Sequence, residues 1–122
     1  VKESRLTAVP IPQITDVHTA TDFYTSFRGF NTDWKHHPTE GGPIYMQVSR
    51  EGLVLHLSAN DRLRQGTALY IEASDLDALH RELSGTSEPW DPPAVSSTPW
   101  QTRQMEVQDP FGNLLRFNEQ MA

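Results

Sequence analysis

Apolar positions along the chain change their period several times, and each change marks an element. Residues 7–14 (TAVPIPQI) carry Pro10 and Pro12, which deny a central helix and point to an edge or irregular strand. In ITDVHTATDFYTSFRGF, Val17, Ala20, Phe23 or Tyr24, and Phe27 recur at helical spacing. Thr15 or Asp16 can cap this helix, and Gly29 ends it. Residues 30–37 (FNTDWKHH) read as a strand stopped by the turn-rich PTEGGP. IYMQVS alternates as a half-buried strand does, and Arg50-Glu51-Gly52 makes a tight hairpin into LVLHLS. ANDRLRQG is a loop crossing the middle of the chain.

The second half restarts with a strand, TALYIEA, followed by SDLDALHRELSG. Ser74 or Asp75 caps that helix; Leu76, Leu79, His80 and Leu83 mark its inner face, and Gly85 closes it. TSEPWDPPAVSSTPW is too rich in proline and serine for regular structure. TRQMEVQ alternates again, and DPFGN turns into the closing strand LLRFNE. The order strand, helix, strands thus occurs twice, and QITDVHTATDFY matches EASDLDALHREL in character at the strand–helix junction. The expected fold is α+β: one domain over residues 1–122 made of two tandem βαβββ modules, about 6–59 and about 66–120. A single ferredoxin-like sandwich would explain the order but not the repetition.

Composition narrows the partners. The absence of cysteine excludes disulfides and thiolate metal sites. VKESRLTAVPIPQI has no apolar signal core, and no stretch approaches the ~18 apolar residues of a membrane span, so a cytoplasmic protein without membrane contact is expected. The net charge of −6, from 16 acidic and 10 basic residues with no Lys/Arg run, disfavours nucleic acid and favours cationic small molecules or proteins.

TDFYTSFRGF at the first helix, the hairpin YMQVSREGLVLHLS, and PWQTRQMEVQDPFGNLLRF together resemble the glyoxalase/bleomycin-resistance superfamily, also called the vicinal-oxygen-chelate fold. The most specific segment, residues 100–117, is similar to the bleomycin-resistance branch. Arg28 departs from the pattern, since relatives commonly carry leucine before GF. The resemblance implies that the strands curl into a cup (a curled mixed sheet) with the helices packed outside. It also implies homodimers with clefts at the subunit interface. In metal-dependent relatives the cup holds a divalent ion on His and Glu ligands; the matching positions here fall near Val9, at His56, near Ala68 and at Arg116. Arg116 offers only donors and stays protonated, so no metal and no cofactor is expected.

His56 sits among Leu53, Val54, Leu55 and Leu57, where it can be a metal ligand, a polar group in a ligand cavity, or a hydrogen-bonded core residue. If Leu53, Leu55 and Leu57 face the helices, alternation sends His56 into the cup, with Tyr45 and Gln47 from the neighbouring strand. The same alternation sends Gln104, Glu106 and Gln108, and Leu114, Arg116 and Asn118, inward. Glu106 and Arg116 are placed to pair across strands, as a binding feature or as a plain structural ion pair. Trp34 and Trp100 supply flat surfaces or ordinary packing; Trp90 and Trp100 lie in proline-bounded segments that favour exposed rings at a cleft edge.

The candidate ligand-binding set is therefore Trp34, Tyr45, Gln47, His56, Trp100, Glu106 and Arg116, with no catalytic residue assigned. The set suits a planar or cationic small molecule, and the resemblance implies a protein that sequesters such a molecule, bleomycin-type drugs among them, and so confers resistance. The alternative is an enzyme of the same fold, a lyase, isomerase or dioxygenase, or a metal-free variant with His56 as base and Arg116 as oxyanion partner.

Overall fold

A computed structural model describes residues 6–37, 39–85 and 93–121. The chain is α+β, and the described residues form seven strands divided between two sheets. In the first sheet β1 (Asn31–His36), β2 (Tyr45–Arg50) and β3 (Leu53–Ser58) pair antiparallel in the order β1-β2-β3. In the second, β4 (Ala68–Glu72) runs parallel to β7 (Leu114–Gln120), then β6 (Thr102–Gln108) and β5 (Ala94–Ser97) follow antiparallel, giving β4-β7-β6-β5. Among the described residues no ladder joins the sheets into the single curled sheet expected from the sequence.

The proline-bearing N-terminal segment behaves as an irregular edge. Pro10 and Pro12 donate nothing, but their carbonyls accept from His56 N at 3.0 Å and Ser58 N at 3.3 Å, and Ile14 N returns a bond to Ser58 O at 2.9 Å. This parallel contact beside β3 matches the way β4 lies beside β7.

The first helix differs from a uniform α-helix. Asp16 caps it, accepting from His18 N and Thr19 N. After α1 (Val17–Thr21) the backbone widens into a π-helical stretch, Asp22–Phe27, and the wider turn carries the adjacent Phe23 and Tyr24 both into the core. Gly29, at φ +74°, turns the chain out of it. Arg28, at the position where the sequence resemblance led us to expect leucine, is buried: its guanidinium lies 5.1 Å from the Phe23 ring centroid and donates to the Leu83 carbonyl at 3.4 Å. Burial lowers its pKa.

Helix α2 (Leu76–Ser84) is capped by Asp75, not Ser74, and buries Leu76 and Leu83. The proline- and serine-rich stretch expected to be irregular contains β5, an edge strand after Pro93; residues 86–92, including Trp90, lie outside the described residues. The core packs the inner faces of both sheets against the helices through Ala20, Phe23, Tyr24, Met46, Val48, Leu55, Leu57, Met105, Val107, Leu115 and Phe117. Strand alternation follows the sequence pattern: Met46 and Val48, Leu55 and Leu57, Met105 and Val107 point into the hydrophobic core, away from the face expected to line the cup. Among the described residues no helix is long and apolar enough to cross a membrane.

Candidate functional site

The outer face of the first sheet gathers aromatic and polar side chains. Registers of β1, β2 and β3 place His36 opposite Tyr45, and Gln47 between Trp34 and His56. Trp34 lies near-parallel to His36 (centroids 5.2 Å, 18°) and to Tyr45 (6.0 Å, 12°), and His36 to Tyr45 (6.3 Å, 20°). His56 meets Trp34 and Tyr45 edge-on, at 5.3 and 5.2 Å. Trp34 remains 38 % exposed, so this is a platform open to solvent and not core packing.

A hydrogen-bonded row runs across the same face. Tyr45 Oη lies 2.8 Å from His56 Nδ1, and His56 Nε2 lies 3.0 Å from Gln47 Oε1. Gln47 Nε2 donates to Asp33 Oδ2 at 2.9 Å, and Ser49 Oγ donates to Asp33 Oδ1 at 3.0 Å. These donors, Gln47 foremost and then Ser49, hold the Asp33 pKa below its ordinary value. Asp33 reaches this face because β1 bulges between Thr32 and Trp34: Thr32 pairs with Val48 and Trp34 with Gln47, leaving Asp33 as the extra residue.

Beside the Tyr45 ring opens a hollow of about 270 Å³ lined by Ile11, Thr39, Pro43, Tyr45, Ser58, Asn60 and Leu63. Hollows of about 340 Å³ between the β2–β3 hairpin and α2, and about 690 Å³ between that hairpin and β4, contain none of the platform rings.

Four of the sequence candidates, Trp34, Tyr45, Gln47 and His56, are thus brought together. Glu106 and Arg116 form a second set on the outer face of the second sheet, where Glu106 Oε1 accepts from Arg116 Nε at 2.9 Å across the β6–β7 register. Tyr70, 55 % exposed, adjoins Arg116 in register. Trp100 stands 56 % exposed in the turn before β6. Among the described residues no hydrogen bond, ion pair or ring contact joins these residues to the platform.

Sequence inspection missed Asp33, His36, Ser49 and Tyr70. Alternation of apolar and polar residues could have found Ser49, two residues beyond Gln47 on the same face. Asp33 carried no such signal, because the bulge breaks the period.

The donor set does not fit a divalent ion. Both His56 ring nitrogens already have partners, Arg116 adds a cation, and Ala68 and Val9 offer no side-chain donor. Among the described residues no three His, Asp or Glu side chains cluster as ligands would.

A family model described as glyoxalase superfamily protein matches residues 4–122. The chain belongs to the glyoxalase superfamily. Solved structures similar to this superfamily member include a bleomycin-binding protein from bleomycin-producing Streptomyces verticillus complexed with copper(II)-bleomycin, 28 % identical, covering 99 % of each chain with TM-score 0.71. An antibiotic-binding protein, TnmS3 from Streptomyces sp. CB03234, is 25 % identical over 97 % of this chain and 99 % of its own, with TM-score 0.68. A bleomycin-binding protein complexed with bleomycin is 20 % identical over 94 % of this chain and 98 % of its own, with TM-score 0.74, and shows the shared fold. No curated protein sequence matches this glyoxalase-superfamily chain significantly.

Proposed function

We propose that this protein binds and sequesters a planar, cationic small molecule of the bleomycin type, without catalysing its conversion. The observation that carries this is the platform of near-parallel Trp34, His36 and Tyr45 rings, open on a sheet face and linked through His56 and Gln47 to the Asp33 carboxylate. The net charge of −6 draws a cation toward it, and the relatives that bind bleomycin or another antibiotic support the ligand class. His56 has both nitrogens engaged by neighbours, which suits a wall and not a free general base.

The binding unit is a homodimer. The candidate residues divide between the outer faces of two sheets, and a cup requires that they converge. Laying the first sheet of one protomer against the second sheet of its partner closes a cleft between the Trp34 platform and the Arg116–Glu106 wall, with Trp100 at the rim. Within each chain, two βαβββ modules side by side supply those two walls.

Titration with metal-free bleomycin, followed by tryptophan emission and calorimetry, tests the proposal. Saturable quenching with heat supports it; unchanged emission and no heat at saturating drug rejects that ligand.

A further inference from the structure

We infer that Asp33 is a positioning residue that fixes the hydrogen-bonding polarity of the platform, so that Tyr45 presents an acceptor to the ligand and the ligand must bring an N–H donor. This rests on the proposed binding of a planar cation and specifies what that cation must carry.

Each step follows from what the atoms can do. An ionised carboxylate only accepts, so the Gln47 group 2.9 Å from Asp33 Oδ2 must be the NH₂ end of the amide. That turns Gln47 Oε1 toward His56 Nε2, 3.0 Å away; this oxygen also only accepts, so Nε2 carries the ring proton. In the neutral imidazole Nδ1 is then bare, and it accepts the Tyr45 hydroxyl proton at 2.8 Å. One polarity therefore runs from Tyr45 through His56 and Gln47 to Asp33. Ser49 donates to the other carboxylate oxygen at 3.0 Å and keeps Asp33 in place.

The consequence is felt at Tyr45. Its proton is directed to His56, so its oxygen keeps only lone pairs for a guest in the hollow that Tyr45 helps to line. Donation into a chain that ends on a carboxylate also makes that oxygen a better acceptor. A guest carbonyl or nitro group there would set lone pair against lone pair, whereas an amine, amidine or ring N–H would bond. The chain selects flat cations with N–H donors over flat cations without them.

The experiment compares 9-aminoacridine, a flat cation with N–H donors, with 10-methylacridinium, a flat cation with none, by calorimetry on the wild type, Asp33→Asn and Tyr45→Phe. ¹⁵N NMR of the His56 ring reads the tautomer in wild type and Asp33→Asn. The wild type should show a single Nε2–H tautomer and bind 9-aminoacridine about fivefold or more tighter, the effect of one hydrogen bond. A carboxamide in place of the carboxylate can turn either its oxygen or its NH₂ to Gln47, so Asp33→Asn should give mixed tautomers and collapse that ratio. Loss of the Asp33 charge weakens both cations alike, so the ratio isolates polarity from charge. Tyr45→Phe should also erase the ratio while keeping Asp33. A wild-type Nδ1–H tautomer, or a ratio unchanged by Asp33→Asn, overturns the inference. If neither acridine binds the wild type, the binding proposal fails, and the wild-type and Asp33→Asn tautomers then decide the Asp33 relay by themselves.

Discussion

Tyr24 and Asp109, 85 positions apart, meet in the core, where the tyrosine hydroxyl donates a 2.7 Å bond to Asp109 Oδ2. Asp109 also accepts from Phe111 N and Asn113 N at 2.8 Å each and from Asn113 Nδ2 at 2.7 Å, so its buried carboxylate is met on both oxygens. Asn113 extends the connection, donating to Gln13 O and accepting from Thr67 N at 2.9 Å each. The DPFGN turn thereby ties the π-helical stretch, the N-terminal segment and the start of β4 together. Tyr24→Phe removes one donor and leaves the ring. The expected loss is about 1–3 kcal/mol, read as a lower urea midpoint at unchanged slope.

The same pair gives a pH dependence. Burial, then the charge and hydrogen bond of Asp109, raise the Tyr24 pKa well above its ordinary value. The folded state thus holds a proton that the unfolded chain releases near pH ~10. This contribution to stability is fully present below the unfolded pKa and is lost as pH rises toward the folded one. Urea midpoints of the wild type should fall more steeply than those of Tyr24→Phe as pH passes about 10. Parallel curves for the two proteins would contradict the assignment.

Gly29 combines two constraints. Its φ of +74° is one that side-chain-bearing residues rarely adopt, and a Cβ there would collide with Arg50 Nη1. Arg50 cannot simply swing away, because it donates to the Arg28 carbonyl and pairs with Glu51 and Glu82. Gly41, at φ +72°, has nothing within 4 Å of the corresponding position. Gly41→Ala should therefore cost about 1–2 kcal/mol from backbone strain alone, and Gly29→Ala clearly more. Equal losses in thermal unfolding would show that Arg50 yields freely.

Much of this was legible in the sequence, and what was not has physical causes. Asp16 before an apolar period of helical spacing, Glu51-Gly52 between alternating runs, and DPFGN each carry their own local geometry, and each lies where the pattern put it. Alternation likewise put Tyr45, Gln47 and His56 on one face and Glu106 beside Arg116. β5 was hidden because a short edge strand after proline needs no apolar signature of its own. The division into two sheets was hidden because strand order, unlike strand pattern, depends on contacts between distant segments. Asp33 was hidden by a bulge that only pairing with β2 reveals.

Asp33 should titrate below the ordinary aspartate range, because Gln47 and then Ser49 donate to its ionised form. A depressed folded pKa means that the interaction is fully present above about pH 4, the unfolded value, and is lost as pH falls through the folded one. Asp33 should then stay ionised, and keep accepting from Gln47 and Ser49, at neutral pH. ¹³C NMR of the side-chain carboxyl should give a midpoint below about 3.9, moving up toward it in a Gln47→Ala, Ser49→Ala double variant. A midpoint already at the ordinary value in the wild type would contradict the two hydrogen bonds.

Trp34 and Trp100 provide a test of both the platform and the proposed dimer. Trp34 is stacked and half-open, so Trp34→Ala should weaken bleomycin binding by about fivefold or more while barely moving the melting temperature. Trp100 is exposed at the edge of the other sheet, and Trp100→Ala should weaken binding only if a partner's platform faces it. The two variants can then be unfolded together, refolded and compared with each refolded alone. In a homodimer whose clefts draw Trp34 from one protomer and Trp100 from its partner, a mixed dimer has one cleft with both rings and one with neither. Random pairing restores wild-type affinity to about a quarter of the clefts, a high-affinity phase that neither variant shows alone. If the mixture titrates as the simple sum of its parts, the two walls do not meet across a subunit interface.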